Sequence, residues 1–323
     1  MIVVAPRPFE EDFADTSELR RALDGHTLRV VLDPAAEPGL LLDAQILVTS
    51  FEHQTHDPLE YARAMPQLRW IHSITAGIGS VASAEIVQRG IVVTNGAGVF
   101  APSIAEYVVA SLVMLARGLP ELALARAARR WDGGHRLGRE LAGARAGVIG
   151  YGGIGRRVAG LLSAIGMRVD AVTRTPGAEG AAASVRGVDA LGELLASSDA
   201  VVLCASLNPS TRGLLGAHEF ASCKPGALFV NVSRGALVDE AALAHALTDG
   251  PLAGAVIDVA VAEPLPADSP LWDVPNLWIT PHIAGGTQGG RARALERFVV
   301  NLPHFAADRL EQMTSVVDVH REL

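Results

Sequence analysis

Cysteine is nearly missing from this sequence. The two present, Cys204 and Cys223, cannot build a disulfide framework and show no metal-ligand spacing. Cys204 sits in the apolar run AVVLCA, so a buried small hydrophobe is expected there. An excess of positive charge is missing too. The formal net charge of −8 argues against a nucleic-acid surface or an anionic membrane as the main partner. The densest basic cluster, Arg126, Arg129 and Arg130, reads as a solvated helix face. Long apolar runs are also lacking: YVVASLVMLA, from Tyr107 to Ala116, is the longest and is too short to span a bilayer. The first residues, MIVVAPRPFEED, hold no basic region followed by a long apolar stretch. No signal peptide is evident, and a soluble, cytoplasmic protein is expected. No internal repeat or low-complexity linker stands out.

What is present points to a packed α/β protein. Hydrophobic residues make up 49% and charged residues 19% of 323 positions, a length beyond which single cores usually stop growing, so two domains are expected. Short β-like runs alternate with helix-like segments. The first half holds MIVVA, TLRVVL, AQILVTS, LRWIHSI and GIVVTN; the second holds ARAGVIG, MRVDAVT, DAVVLCA, ALFVNVS, AGAVIDV and LWIT. These are near-continuous rather than alternating, as parallel strands buried on both faces require. The pattern predicts an α/β architecture with right-handed crossovers. Pro102 to about Arg130 is the longest helical pattern, with Ser103 and Glu106 at capping-box spacing, and is expected to carry the chain from the first domain into the second. The final helical stretch, QGGRARALERFVVNLPHFAADRL, is expected to pack back on the first domain and make it discontinuous.

AGVIGYGGIGRRVAGLLSAIGMRVDAVTRT contains Gly150, Gly152 and Gly155 in G-x-G-x-x-G spacing. Three glycines alone would be weak. Here they follow a strand-like run and open a helix-like one, the context a dinucleotide site needs. Gly150 permits the tight turn, Gly152 lets backbone approach a pyrophosphate, and Gly155 lets helix and strand pack closely. The helix N-terminus then offers amide donors to the phosphates. Counting twenty positions on from Gly150 lands on Asp170, but that residue lies inside MRVDAVT, whereas a ribose is met at the strand's end. There the chain has Thr173, Arg174 and Thr175. A guanidinium can pair with a 2′-phosphate that a carboxylate would repel. NADP(H) is therefore the expected preference; NAD(H) remains possible, since an arginine stacked on adenine would suit either.

Three later stretches, FVNVSRGALVDEAAL, LAGAVIDVAVAEPLP and LWDVPNLWITPHIAGGT, together with the glycine turn, resemble the D-isomer-specific 2-hydroxyacid dehydrogenases, including the glyoxylate/hydroxypyruvate reductase-like branch. The resemblance runs in matching order from about residue 68 to 290. It implies two Rossmann-like or flavodoxin-like parallel-sheet domains, with a cofactor domain at 99–286 inserted into a discontinuous substrate domain at 1–98 and 287–323. It also implies a homodimer, paired through LARGLPELALARAARRWDGG.

The resemblance carries roles onto named residues. Arg234 matches the substrate arginine, a planar charged fork able to grip a carboxylate and polarise a carbonyl. Glu263 matches the acid that holds the family's histidine, and His282 matches that histidine. A carboxylate on one imidazole nitrogen fixes the tautomer, and the ring's other nitrogen can exchange a proton with the substrate oxygen. Asp258 matches the aspartate near the nicotinamide carboxamide, and Val232 and Ser233 match positions beside the nicotinamide half. Gly153 and Ile154 match pyrophosphate contacts; after His282, Gly285 and Gly286 would by their conformational freedom let backbone turn close to the cofactor. SITAGIGSV resembles the substrate loop, with the amides of Ala76 and Gly77 as an anion nest. Two departures stand out: Gly79 replaces the usual Asp of that loop, and Ser206 replaces a usual proline. His53 and His56 are expected to be exposed loop residues. The implied activity is hydride transfer between NAD(P)H and a small 2-oxo acid, glyoxylate or hydroxypyruvate being the expected substrates. A phosphoglycerate dehydrogenase-like enzyme and a dinucleotide-sensing protein like the co-repressors on this scaffold remain alternatives.

Overall fold

A computed structural model describes residues 1–6, 16–49, 56–78, 81–131, 138–177 and 180–321. His53 and Gly79 lie outside them. The chain divides into two compact units, Met1–Phe100 with Gly286–Leu323, and Ala101–Gly285.

The first unit opens with β1 (Ile2–Ala5), α1 (Ser17–Ala22), β2 (Thr27–Val30), β3 (Ile46–Thr49), α2 (Pro58–Ala64), β4 (Trp70–Ser73), α3 (Ala84–Gln88) and β5 (Val92–Asn95). Its five strands are parallel, in the order β2-β1-β3-β4-β5, the flavodoxin-like arrangement. The run of apolar residues in each strand has a direct cause. Successive side chains point to opposite faces, and both faces are covered. Val3, Ile46, Val48 and Trp70 join one buried cluster, while Val4, Leu47, Ile71 and Val93 join the other.

The second unit holds α4 (Ala101–Ala116), α5 (Leu119–Ala127), β6 (Arg145–Ile149), α6 (Gly153–Ala164), β7 (Arg168–Val172), β8 (Ser184–Arg186), α7 (Leu191–Ser197), β9 (Ala200–Leu203), α8 (Ala217–Ala221), β10 (Ala227–Asn231), α9 (Glu240–Thr248), β11 (Leu252–Ile257) and β12 (Leu277–Ile279). Its seven parallel strands lie in the order β12-β11-β10-β9-β6-β7-β8. Counted from β6, this is the dinucleotide-binding order 3-2-1-4-5-6 with one more strand. The order reverses between β6 and β9, and ligands bind at such a switch point. The chain then returns to the first unit as α10 (Gln288–Ala306). Phe298 of that helix stacks on Trp70, with ring centroids 5.1 Å apart.

The α/β class with two parallel sheets is as expected; several local readings are corrected. The single helix expected over 102–130 is two, bent by 69°, because Gly118 takes a left-handed conformation at φ 63°. Among the described residues the longest helix is α10, with 19 residues. Ser103 lies inside the first turn of α4 rather than before it, so it is not the N-cap. β8 was not expected at all: SVR is too short and too polar to show an apolar run. Cys204 keeps partial exposure as a residue, although burial pushes its thiol up to about 12. Arg126, Arg129 and Arg130 are exposed, as a solvated face requires. Among the described residues no single helix is long and apolar enough to cross a membrane.

Candidate active site

The glycine turn joins β6 to α6 beside the switch point. Gly150 has φ 92°, and a Cβ on it would overlap the backbone of Cys204 and Ala205 at the end of β9. A Cβ on Gly155 would overlap the carbonyl of Gly150, so the helix seats directly on the turn. Gly152 differs: nothing lies within 4 Å of where its Cβ would be. Two glycines are thus required by the protein's own packing, and the third leaves open space. Gly152 is also the N-cap of α6 and provides no side-chain cap. The amides of Gly153 and Ile154 in the first turn therefore lack the side-chain acceptor that usually satisfies a helix start. That is a fit for a pyrophosphate.

Asp170 lies within β7, where its Oδ1 accepts a hydrogen bond from Ser184 Oγ of β8 at 2.5 Å. Thr173 follows the strand and donates its N–H to Arg186 O at 2.9 Å. Arg174 beyond it is exposed. The strand's carboxyl end thus presents a hydroxyl and a guanidinium.

Arg234 stands just past β10, exposed and extended, before a single 3-10 turn at Gly235–Leu237. Its Nη1 donates to Ser233 O at 2.7 Å. Val232 and Ser233 are buried, and the Ser233 hydroxyl donates to Ala205 O. A Cβ on Gly235 would overlap the backbone of Ala260 and Val261. The turn carrying Arg234 is therefore pressed onto the segment that leads to Glu263.

Glu263 uses both carboxylate oxygens. Oε1 accepts the N–H of Ala260 at 3.0 Å, which folds the segment back on itself. Oε2 meets Nδ1 of His282 at 2.8 Å. Both side chains are more than a third exposed, 38% for Glu263 and 36% for His282, so the pair is open to a ligand and its Coulomb energy is screened. His282 has φ 56°, a left-handed conformation that costs a non-glycine residue roughly 1–2 kcal/mol. Its N–H donates to Asp258 O at 2.8 Å and to Thr280 O at 3.0 Å. These bonds hold the turn in that shape.

Asp258 is 2% exposed. Its carboxylate accepts from Ile283 N–H at 2.9 Å, Ala284 N–H at 2.8 Å and the Thr280 hydroxyl at 2.5 Å. Thr280 in turn contacts the Tyr107 hydroxyl at 2.6 Å. Gly285 follows the turn at the end of this unit. Arg234, Glu263, His282 and Asp258 are thus gathered at the carboxyl ends of β10, β11 and β12. Ala76 and Gly77 belong to the other unit. They are exposed, and their loop is shaped through its carbonyls: Asn95 Nδ2 donates to Ala76 O at 2.7 Å, and the Ser73 and Thr75 hydroxyls donate to Gly77 O. His56, in the same unit, pairs with Glu60 at 3.0 Å. Sequence reasoning missed Tyr107, Thr280, Asn231 and Gly235. Thr280, Asn231 and Gly235 sat inside motifs already singled out, whereas nothing marked Tyr107 within an apolar helix.

A seven-stranded dinucleotide-type sheet, with an uncapped glycine turn at its switch point, defines an NAD(P)-binding α/β class. Residues 109–284 match the family described as D-isomer specific 2-hydroxyacid dehydrogenase, NAD binding domain, and the chain belongs to the D-isomer-specific 2-hydroxyacid dehydrogenases. It is 36% identical over 242 residues to an (S)-sulfolactate dehydrogenase of Chromohalobacter salexigens, covering 75% of this chain and 78% of that one. It is 34% identical over 281 residues to glyoxylate/hydroxypyruvate reductase B of Pectobacterium carotovorum, covering 85% and 87%. Other curated relatives are longer: the chain spans 58% of a D-3-phosphoglycerate dehydrogenase to which it is 38% identical. Among solved structures, a D-isomer specific 2-hydroxyacid dehydrogenase from Xanthobacter autotrophicus Py2, in complex with NADPH and MES, aligns with a TM-score of 0.80 at 29% identity, over 100% of this chain and 99% of that one.

Proposed function

We propose that this protein is an NADP(H)-preferring reductase of small 2-oxo acids, with glyoxylate or hydroxypyruvate as substrates. The observation that carries the reading is the 2.8 Å contact between Glu263 and His282, on the same strand ends as Arg234. A bound nicotinamide supplies the hydride to the substrate's carbonyl carbon. The protein's own groups do the rest. Arg234 leaves its internal bond to Ser233 O and grips the substrate carboxylate, its second edge polarising the carbonyl. Glu263 accepts a hydrogen bond from Nδ1–H of the protonated His282 ring, which directs Nε2–H toward the substrate oxygen. As negative charge develops there, Nε2 releases its proton to form the 2-hydroxy acid. In the reverse direction neutral His282 takes the hydroxyl proton.

The amides of Gly153 and Ile154 hold the pyrophosphate, with Gly152 giving room and Gly155 seating the helix. Val232, Ser233 and Gly285 would hold the nicotinamide half, with Asp258 as the partner for its carboxamide. Arg174, with Thr173, pairs with the 2′-phosphate. The engagement of Asp170 with Ser184 and the NADPH held by the Xanthobacter relative both support this preference. We also infer a homodimer, supported by the exposed large apolar side chains Leu119, Leu122 and Leu124 on α5 and Trp131 beyond it, since exposed apolar surface of this kind is associated with interfaces.

The test is a panel of 2-oxo acids, including glyoxylate, hydroxypyruvate and 3-sulfopyruvate, followed by loss of NADPH or NADH absorbance. Robust turnover of glyoxylate or hydroxypyruvate supports the reading. Tight dinucleotide binding with no turnover across the panel overturns it in favour of a sensor.

A further inference from the structure

The two buried polar residues at the ends of β10 and β11 are bound mainly to the protein itself. Asn231 is 1% exposed and Asp258 2%. They are neighbours across the sheet, since Asp258 N–H donates to Asn231 O at 3.0 Å. Each then builds one turn of the site. Asn231 Oδ1 accepts the N–H of Ser233 at 3.0 Å, and its Nδ2 donates to Arg234 O at 3.3 Å. Asp258 accepts the N–H of His282 on its backbone carbonyl and those of Ile283 and Ala284 on its carboxylate.

The carboxylate's capacity is countable. An ionised carboxyl offers about four acceptor positions. Three are taken, by two backbone amides and the Thr280 hydroxyl. Thr280 has one hydroxyl proton and spends it on Asp258, so in its 2.6 Å contact with Tyr107 it must be the acceptor. The phenol carries the proton for this bond: burial holds its pKa above the ordinary tyrosine value, against the opposing bonds to Thr280 and Ser111. The relay therefore runs Tyr107 O–H to Thr280, Thr280 O–H to Asp258, and Asp258 to the turn that holds His282 at φ 56°.

We propose that Asn231 and Asp258 are the positioning residues of this site, one setting the turn of Arg234 and the other that of His282, with Thr280 and Tyr107 orienting the aspartate. This rests on the assignment of Arg234 and His282 under the proposed function and adds a task for Asp258 beyond a nicotinamide contact. An asparagine at 258 illustrates why. It has the same size and could still meet a carboxamide, but it has one oxygen for donors that now occupy two, so its amide hydrogens would face a backbone N–H.

The deciding variants are Thr280→Val and Thr280→Ser, with Asp258→Asn as the severe case. Thr280→Val keeps the shape and removes the donor; Thr280→Ser restores it. Three measurements are made on the full chain: kcat against pH, the Kd for NADPH by fluorescence, and the titration of the His282 ring by NMR with 15N-labelled histidine. The expected result for Thr280→Val is a loss in kcat of about tenfold to a hundredfold, the scale of a slightly misplaced reacting group. The pH profile and the His282 titration should shift, the Kd for NADPH should stay within about twofold, and Thr280→Ser should return all of these toward wild type. An unmoved titration and pH profile in Thr280→Val, or a loss confined to the Kd, overturns the proposal. Failure of the wild type to reduce any 2-oxo acid would sink the functional reading instead, and the NMR titration would still decide this one.

Discussion

Oε2 of Glu263 lies 2.8 Å from Nδ1 of His282, across nineteen positions of sequence. Nothing local enforces that contact. It arises because Asp258 holds the histidine turn while Glu263 folds back onto Ala260 N–H. If this pair serves proton transfer, His282→Ala should lower kcat by about 10²–10⁴, the usual worth of a positioned acid–base group. The Kd for NADPH should stay near wild type, because the glycine turn is untouched. Steady-state kinetics with fluorescence binding checks this, and near-normal turnover in the variant would refute the assignment.

The end of β7 sets a second prediction. Arg174 is exposed, and Asp170 is engaged with Ser184. A guanidinium on a 2′-phosphate forms a charge-assisted bond worth about 1.5–3 kcal/mol. Arg174→Ala should therefore reduce kcat/KM for NADPH by roughly tenfold to a hundredfold and leave NADH nearly unchanged. A wild-type preference for NADH of tenfold or more contradicts the idea before any variant is made.

Much of this was legible in the sequence, for identifiable reasons. Parallel strands covered on both faces show as unbroken apolar runs, so eleven of the twelve strands among the described residues were marked by runs such as those at Ile46–Thr49 and Ala227–Asn231. The site's ends were legible where spacing and strand-to-helix context make a residue specific, as with Gly150 in its glycine turn, and where a motif carries a reactive side chain, as with His282. What stayed hidden depends on distance in space. Serine and valine at 184–185 give no strand signal until paired with Asp170 and Ala171. The break at Gly118 lay inside a continuous apolar periodicity, and periodicity does not register one left-handed residue. Tyr107 resembled any core-facing aromatic, and its role shows only against Thr280, 173 positions away.

Gly235 gives a third prediction, because its reason for being glycine is steric rather than conformational. The space for a Cβ is filled by the backbone of Ala260 and Val261, which cannot give way like a flexible side chain. Gly235→Ala should push apart the turn of Arg234 and the segment of Glu263. We expect destabilisation of about 1–3 kcal/mol, the scale of overpacking, together with a fall in kcat/KM larger than that of a surface control such as Gly192→Ala, where the space is open. Denaturant melts paired with kinetics test it. Wild-type behaviour in both would show that the contact is not restrictive.

The homodimer reading is tested through α5. Leu124 is 71% exposed, an arrangement that covering by a second copy would relieve. Sedimentation at micromolar protein should give a dimer mass, and Leu122→Glu with Leu124→Glu should shift it to monomer. A monomeric wild type contradicts the inference.

His72 provides the final prediction, a pH dependence of stability separate from the site. The residue is fully buried in the first unit. Its Nδ1 lies 2.7 Å from the Thr94 hydroxyl, which also accepts from Trp70 Nε1. Burial, aided by the charge of Arg297, pushes its pKa down from 6.5 to about 3. Between those values the unfolded chain binds a proton that the folded chain refuses. Stability must then rise with pH across that window and fall as the solution is acidified from 6.5 toward 3, by on the order of 4 kcal/mol at the acid end. Replacing the ring by a neutral amide, His72→Gln, should lower stability at pH 7 but flatten this part of the profile. Urea unfolding at half-unit steps from pH 7 to pH 4 measures both. If the variant keeps the wild-type slope between pH 6 and pH 4, the acid sensitivity of this fold comes from its carboxylates and not from the imidazole under α10.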